Sequence, residues 1–244
     1  MKRSYILLGL FITDFIIDSF IAAYAGNAWR YVSKGLLMPL LLVFFVTSIS
    51  IHPGTNSNAK YIKLVCVALI FSFLGDMFLI GDSSLSFMMG IAAFLIAHVF
   101  YIVFFCRIQP FKRKNSIFII ISGFIILSYV VLLDYLFWPL ITKQSLTIPV
   151  ITYSLVLGAM LFTAVNTINI EKHRSGFTVY LIAGALLFVA SDSFIAFNKF
   201  YLIQQIPGFY IMLTYCAAQF LIVSSAIKFI KQQTSQFTRP LPAN

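Results

Sequence analysis

Long runs of apolar residues alternate along this chain with short polar segments, and the runs are apolar on every face. A helix needs about 20 apolar residues to cross a bilayer, and backbone groups within the hydrocarbon must pair with one another. A membrane barrel would instead show short segments of alternating polarity. The pattern therefore predicts an all-α polytopic bundle of about eight transmembrane helices, with spans at residues 5–24, 35–51, 61–80, 86–106, 116–133, 146–169, 177–197 and 209–230.

The connections between the spans are short and carry turn-forming or charged residues. They lie at Gly26-Asn27, His52-Pro53-Gly54, Gly81-Asp82-Ser83, Arg107 to Asn115, Glu171 to Gly176 and Pro207-Gly208. Because no long linker divides the chain, we expect residues 1–244 to form a single transmembrane domain. A weak repeat lies within it, since the third span ends in Gly75-Asp76-Met77-Phe78 and the seventh in Ser191-Asp192-Ser193-Phe194. This repeat predicts a four-plus-four duplication about an axis along the membrane normal.

The composition favours a membrane protein, because 61% of the 244 residues are hydrophobic and 10% are charged, whereas soluble domains have about 25% charged residues. The net charge of +10 does not indicate a nucleic-acid partner, since the basic residues lie between apolar runs. Thirteen of the 17 Lys and Arg residues fall on one side of the predicted topology and four on the other. Basic loops face the cytoplasm, so we expect both termini there and, in a bacterium, an inner-membrane location. The oligomeric state does not follow from this pattern.

The cysteines and histidines do not favour a metal or a cofactor. Cys66, Cys106 and Cys216 lie in or near spans without metal or disulfide spacing, which indicates a packing role. His52 and His173 fall in predicted loops, and no two histidines have the helical spacing of a zinc site. The chain also lacks a phosphate-binding glycine loop and a nucleophile elbow. We therefore predict no metal and no cofactor.

Four of the seven acidic residues fall inside predicted spans, at Asp14, Asp18, Asp76 and Asp192. A carboxylate in hydrocarbon costs several kcal/mol unless it is paired, hydrated or protonated, so each is a functional candidate. Asp76 and Asp192 lie at similar depths, and each follows a small residue that allows close approach. If both face one cavity, one would keep its proton while the other stays charged, as general acid-base catalysis requires. Asp14 and Asp18 could line the same cavity or a face packed inside the bundle.

Polar side chains on other spans could complete such a cavity. Several share a helix face with one another or with an acid, because residues three or four apart on a helix are neighbours. For each of them, hydrogen bonding or packing between helices is the plainer interpretation. They are Ser72, His98, Tyr101, Tyr153, Ser191, Tyr215 and Gln219.

Together these motifs resemble the YhhN-like family of membrane proteins, which includes the animal lysoplasmalogenases. The resemblance extends over residues 34–223 and rests on Ser72-Phe-Leu-Gly75-Asp76, Phe94-Leu-Ile-Ala-His98-Val-Phe-Tyr101, Gly184-Ala185-Leu-Leu-Phe188-Val-Ala-Ser191-Asp192 and Tyr215-Cys-Ala-Ala-Gln219. Weaker family positions are matched by Lys34, Pro39, Tyr153 and Met160. Gly35 follows Lys34, where the family often has proline.

The resemblance implies a membrane hydrolase that cleaves the vinyl ether of lysoplasmalogens, single-chain phospholipids, to a fatty aldehyde and a glycerophospho-base. Hydrolysis of a vinyl ether needs a proton donor and a negative charge beside the resulting oxocarbenium ion. We predict that Asp76 and Asp192 fill these roles in either order, and that Lys34 with Arg30 binds the phosphate. The predicted catalytic residues are Asp76, Asp192 and His98. The predicted substrate-binding residues are Lys34, Tyr101, Ser72, Ser191, Tyr153, Tyr215, Gln219 and Asp18.

Two other functions fit the same composition. A proton-coupled transporter of a small solute or lipid also has intramembrane acids and internal repeats, although no span here shows a break at mid-membrane. A non-catalytic lipid-binding membrane protein would need only a cavity. Solute flux without lipid turnover would favour the transporter, and a lipid recovered intact would favour the binding protein.

Overall fold

The chain forms a bundle of long helices in a computed structural model, which describes residues 2–24, 27–50, 58–81, 83–111, 116–169, 176–201 and 206–237. No strand occurs within these ranges. The predicted loop residues Gly26, His52, Pro53, Gly54, Asp82, 112–115 and 171–175 lie outside them. The helices are α1 (Lys2–Tyr24), α2 (Asn27–Ser50), α3 (Ala59–Phe78), α4 (Ser84–Ile108), α5 (Ser116–Lys143), α6 (Thr147–Asn166), α7 (Thr178–Phe200) and α8 (Gly208–Phe237), with a 3-10 turn at Thr167–Asn169.

All eight of these described helices are long and apolar enough to cross a membrane, with mean hydropathies from 1.6 to 2.5. The predicted all-α bundle of eight spans is therefore confirmed. Eight crossings by these helices would place Lys2 and Phe237 on the same side of the bilayer. The cytoplasmic location of that side stays a prediction from the distribution of basic residues.

Three helices extend seven or more residues beyond the predicted spans, and polar contacts explain two of these extensions. α2 begins before residue 35 because Lys34 is inside the bundle, where its ammonium group pairs with Asp76. α5 continues past residue 133 because the carboxylate of Asp134 accepts a hydrogen bond from Ser154 on α6. α8 continues past residue 230 to Phe237.

The helices α1, α2, α3, α4, α6, α7 and α8 contact one another in that order, and α8 closes the ring against α1. α8 also touches α2 and α3, so it fills part of the interior. α5 lies outside the ring, mainly against α6 and with a small contact to α7. Most of its side chains therefore face the lipid.

Most helix contacts of the two halves correspond to one another, although the α1–α8 contact has no counterpart of similar size between α5 and α4. α1 packs on α2 as α5 packs on α6, and α3 packs on α4 as α7 packs on α8. The α2–α3 contact likewise corresponds to α6–α7, and the α4–α6 contact corresponds to α8–α2. This correspondence is what a four-plus-four arrangement would give.

Gly184 sets the closest approach of α7 to α8. A Cβ atom at this position would lie 2.9 Å from the backbone oxygen of Ala218 and 2.8 Å from a side-chain carbon of Ile222. The backbone oxygen cannot rotate away, so only glycine allows this separation.

Gly184→Ala is expected to destabilise the bundle by roughly 1–3 kcal/mol, because it forces α7 and α8 apart. The measurement is the midpoint of thermal unfolding of the purified protein in detergent. Gly9→Ala is the matched control, since a Cβ at Gly9 meets nothing within 4 Å. Alanine stabilises a helix relative to glycine by up to about 1 kcal/mol, so the control should be as stable as the wild type or more so. Equal midpoints for the two variants would contradict the close contact.

Candidate functional site

Asp192 is the centre of a polar cluster formed by α4, α6 and α7. Tyr153 donates a hydrogen bond to Asp192 Oδ2 at 2.5 Å, and His98 Nε2 lies 3.3 Å from the same oxygen. His98 Nε2 also lies 3.1 Å from the hydroxyl of Tyr153. The carboxyl, phenol and imidazole groups therefore form a triangle within which a proton can be exchanged.

Aromatic packing fixes the imidazole of this cluster. The ring of Phe188 meets His98 edge-on with 4.7 Å between centroids, and the ring of Phe94 lies 6.4 Å away. His98 Nδ1 is buried and has no hydrogen-bond partner among the described residues. The polar contacts of the imidazole therefore lie on its Nε2 side, toward Asp192 and Tyr153.

Asp192 lines an apolar cavity of about 90 Å³ between α4, α5, α6 and α7. The polar side chains on its wall are those of Asp134, Tyr153, Ser154, Asp192 and Ser193. Its apolar wall includes Phe87, Ile91, Phe94, Leu133, Phe137 and Leu157. A concave, apolar space with a few convergent polar groups is typical of a small-molecule site, and this one suits a hydrocarbon chain.

A second, open pocket of about 440 Å³ adjoins the cavity at the end of the bundle where α3 and α7 finish. Arg30, Lys34 and Lys199 line it. The Nε atom of Arg30 is buried there without a hydrogen-bond partner in the described part of the chain. Three residues line both spaces: Leu79, Phe87 and Ile195. We call the second space the cationic pocket, and the shared residues make it adjacent to the apolar cavity.

Asp76 belongs to a separate polar cluster. Its Oδ1 atom lies 3.2 Å from Lys34 Nζ, and its Oδ2 atom accepts a hydrogen bond of 2.6 Å from Tyr215. Asp76 is 1% exposed and Lys34 is 6% exposed. The ion pair neutralises both charges inside the bundle, so the buried carboxylate can stay ionised.

A buried hydrogen-bond network lies behind Asp76. Tyr101 donates to Gln219 Oε1 at 2.6 Å, and Gln219 Nε2 donates to Ser72 Oγ at 3.0 Å and to the Tyr215 hydroxyl at 3.5 Å. Ser72, Tyr101, Tyr215 and Gln219 line neither the cavity nor the cationic pocket. Their contacts join α3, α4 and α8 and hold Asp76 in place.

The two predicted catalytic acids do not meet in one cavity. Asp192 is part of the cavity wall, whereas Asp76 is not. The rings of Phe94 and Phe188 each contact both His98 and Tyr215, and so they occupy the space between the two clusters. The structure therefore differs from the expectation of two carboxyls sharing one proton.

Gly75 provides the room for this aromatic layer. A Cβ at Gly75 would lie 2.6 Å from the ring of Phe94. The small residue before Asp76 therefore admits a phenyl ring, where the sequence suggested the approach of a ligand or helix.

Two further predicted site residues serve contacts between helices. Asp18 is buried and accepts a hydrogen bond of 2.6 Å from Ser33, which joins α1 to α2. Ser191 donates to the backbone oxygen of Ile211 at 3.2 Å, which joins α7 to α8. Neither residue lines the cavity or the cationic pocket.

Sequence reasoning missed Asp134, Ser154 and Lys199. Asp134 accepts a hydrogen bond of 2.8 Å from Ser154, and both line the apolar cavity. The mostly apolar sequence from Tyr135 to Leu140 indicates that the fifth helix continues past Asp134 and that this acid lies inside the span. Lys199 is one of the four basic residues on the less basic side of the predicted topology, and it lines the cationic pocket.

The sequence model of the YhhN family matches residues 29–226. The chain belongs to the YhhN family. The matched range includes both polar clusters and contains the whole of the predicted resemblance at 34–223. With its eight apolar helices, this YhhN chain is a multi-pass integral membrane protein.

Curated relatives of this YhhN chain come from mammals and bacteria. Lysoplasmalogenase TMEM86A of Bos taurus is 32% identical over 67% of this chain and 65% of the relative. Lysoplasmalogenase TMEM86B of Homo sapiens is 34% identical over 71% and 67%. Lysoplasmalogenase of Mycobacterium tuberculosis (strain CDC 1551 / Oshkosh) is 31% identical over 64% and 58%. The chain thus covers between 58% and 67% of the lengths of these three relatives. No solved structure matches it.

Proposed function

We propose that this YhhN protein hydrolyses the vinyl ether bond of a lysoplasmalogen to a fatty aldehyde and a glycerophospho-base. The observation that carries the proposal is the cluster of Asp192, His98 and Tyr153. Its Asp192 and Tyr153 line an apolar cavity that is adjacent to the cationic pocket. Vinyl ether hydrolysis requires a proton donor inside a chain-binding site, and this cluster provides a candidate. The names of the mammalian and mycobacterial relatives support the same reaction.

The two adjacent spaces match the two parts of a single-chain phospholipid, its hydrocarbon chain and its phosphate headgroup. In this proposal the part of the hydrocarbon chain next to the vinyl ether enters the apolar cavity, and Arg30 and Lys199 bind the phosphate in the cationic pocket. Asp192 and Lys199 lie two turns apart on α7, which is roughly 10 Å along the helix axis. The glycerol part of the headgroup spans much of this distance and the flexible side chain of Lys199 can span the rest, so the vinyl ether is placed beside Asp192 in this proposal.

Asp192 is the proposed proton donor. Its proton passes to the outer alkene carbon, whose new C–H bond takes the electrons of the double bond. The positive charge then spreads over the inner carbon and the ether oxygen, where the carboxylate left on Asp192 stabilises it. Water adds to the inner carbon, and the hemiacetal separates into aldehyde and alcohol. His98 and Tyr153 orient the carboxyl for these transfers.

Asp76 has a positioning role in this proposal. Its carboxylate holds Lys34 at the wall of the cationic pocket. Lys34 therefore adds positive charge to the phosphate site while it remains paired. Asp76 does not touch the reacting atoms, which distinguishes this proposal from one with two acids in direct contact.

The proposed reaction is tested with three lysophospholipids that share one headgroup and carry a vinyl ether, a saturated ether or an acyl chain. The purified protein should release aldehyde from the vinyl ether and leave the other two intact. Recovery of all three unchanged would contradict the proposal and favour a lipid-binding protein. Solute flux into proteoliposomes without lipid turnover would favour a transporter.

Arg30→Gln and Lys199→Gln are each expected to raise KM roughly tenfold with little change in kcat, since a hydrogen bond to a charged group contributes about 1.5–3 kcal/mol. The phosphate is bound equally in the ground and transition states, so its loss affects KM. Aldehyde release at varied lipid concentration gives both constants. Lys143→Gln is the control, because this exposed lysine at the end of α5 lines neither space. A fall in kcat at constant KM would contradict a role of Arg30 and Lys199 in binding the phosphate.

A further inference from the structure

The apolar cavity has a second carboxyl on its wall, that of Asp134 on α5. Asp134 is half-buried, and its Oδ2 atom accepts the hydrogen bond from Ser154 at 2.8 Å. Its other carboxyl oxygen makes no hydrogen bond within the described residues. An acid inside a membrane span is costly unless it is used or satisfied, and half of this carboxyl is left without a protein partner.

Two consecutive residues of α6 hold the two cavity acids. Tyr153 donates to Asp192, and Ser154 donates to Asp134. Successive side chains on a helix point about 100° apart, so the two carboxyls are held beside adjacent sectors of α6 and face the same cavity. The position of α5 against α7 is fixed by a hydrogen bond of 2.8 Å between Tyr129 and Ser193.

We infer that Asp134 is a further catalytic residue, the base that takes a proton from the attacking water. This inference rests on the proposed vinyl ether hydrolysis. Asp76 is less suited to the role, because Lys34 and Tyr215 engage both of its oxygens and it is absent from the cavity wall. Asp134 and Asp192 thus form the pair of carboxyls that acid-base catalysis requires.

The protons balance over the reaction. Asp192 gives one proton to the outer alkene carbon. Water attacks the inner carbon and passes one proton to Asp134, which forms a neutral hemiacetal. Asp134 then returns its proton to the glycerol oxygen as the carbon–oxygen bond breaks, and the hemiacetal hydroxyl returns its proton to Asp192. Both carboxyls end in their starting states, and one water molecule is consumed for each lipid.

Asp134→Asn removes the base and keeps a carbonyl oxygen to accept the Ser154 hydrogen bond. We expect kcat for aldehyde release to fall by about 100-fold or more, while the Kd of the saturated ether analogue is unchanged. Asp14→Asn is the matched control, since Asp14 is an intramembrane acid that lines neither space. The control should keep wild-type kcat and Kd. Wild-type kcat in Asp134→Asn would overturn the assignment.

A second pair of variants distinguishes the chemical role of the Asp134 carboxylate from the packing role of its side chain. Asp134→Glu and Asp134→Gln add the same volume, so a structural role predicts equal activities. The proposed role predicts that the glutamate variant exceeds the glutamine variant at least tenfold, and equal activities would overturn it. Absence of aldehyde from the wild type would instead overturn the proposed function itself, so the two failures are distinguishable.

Discussion

Asp192→Asn is expected to lower kcat for aldehyde release by about 10²–10⁴-fold, which is the contribution of a general acid. An amide cannot deliver a proton to the alkene carbon or leave a negative charge beside the oxocarbenium ion. Its oxygen can still accept the hydrogen bond of Tyr153, so the cluster should keep its shape. The measurement is aldehyde release by the purified variant, together with its Kd for the saturated ether analogue.

Asp76→Asn provides the comparison, because Asp76 has a positioning role in the proposal. This variant should change KM through Lys34 more than it changes kcat. Equal losses of kcat in Asp76→Asn and Asp192→Asn would favour two acids acting together on the substrate. Full activity in Asp192→Asn would remove the carboxyl from the mechanism.

Lys34→Met is expected to destabilise the protein by about 3–5 kcal/mol, because it leaves the carboxylate of Asp76 buried without its cation. Asp76 is 1% exposed, and the phenol of Tyr215 cannot replace the lost charge. Asp76→Asn should cost less, since Lys34 also lines the open cationic pocket and can extend its ammonium group toward water.

The double variant Lys34→Met with Asp76→Asn removes both charges and should recover most of the lost stability. Thermal unfolding of the wild type, the two single variants and the double variant in one detergent gives the coupling free energy between Lys34 and Asp76. Additive losses in the double variant would show that the two groups do not interact.

The apolar runs predicted the eight spans because a bilayer requires a long apolar helix for each crossing. Two predicted boundaries are wrong because the prediction ends a span at a charged residue. Lys34 and Asp134 stay within helices since Asp76 and Ser154, distant in sequence, provide their partners. Such partners follow from helix packing, which the sequence pattern does not show.

The sequence likewise does not show which side chains pair with each acid of the site. The motifs pointed to Asp76, His98, Tyr153 and Asp192, and the structure puts all four in polar clusters. It pairs Asp192 with His98 and Tyr153, and it separates Asp76 from them with the ring of Phe94. Which partner each acid takes depends on the positions of aromatic side chains from other helices.

The two acids have corresponding surroundings in the two halves of the chain. Asp76 on α3 is bound by Lys34 on α2 and Tyr215 on α8. Asp192 on α7 is bound by Tyr153 on α6 and His98 on α4. Because α2 corresponds to α6 and α8 to α4, each acid is held by one helix of its own half and one of the other. This pattern supports the four-plus-four duplication, which stays a prediction.

Proton transfer from a carboxyl to the outer alkene carbon is tested most directly by running the reaction in D₂O. The purified protein is incubated with a lysoplasmalogen, and the aldehyde is trapped as it forms. If a deuteron is delivered to that carbon, the wild type should form free glycerophospho-base and an aldehyde with one deuterium next to the carbonyl. Asp192→Asn should form both at a much lower rate. Aldehyde without deuterium at that carbon, or lipid recovered intact, would contradict the account.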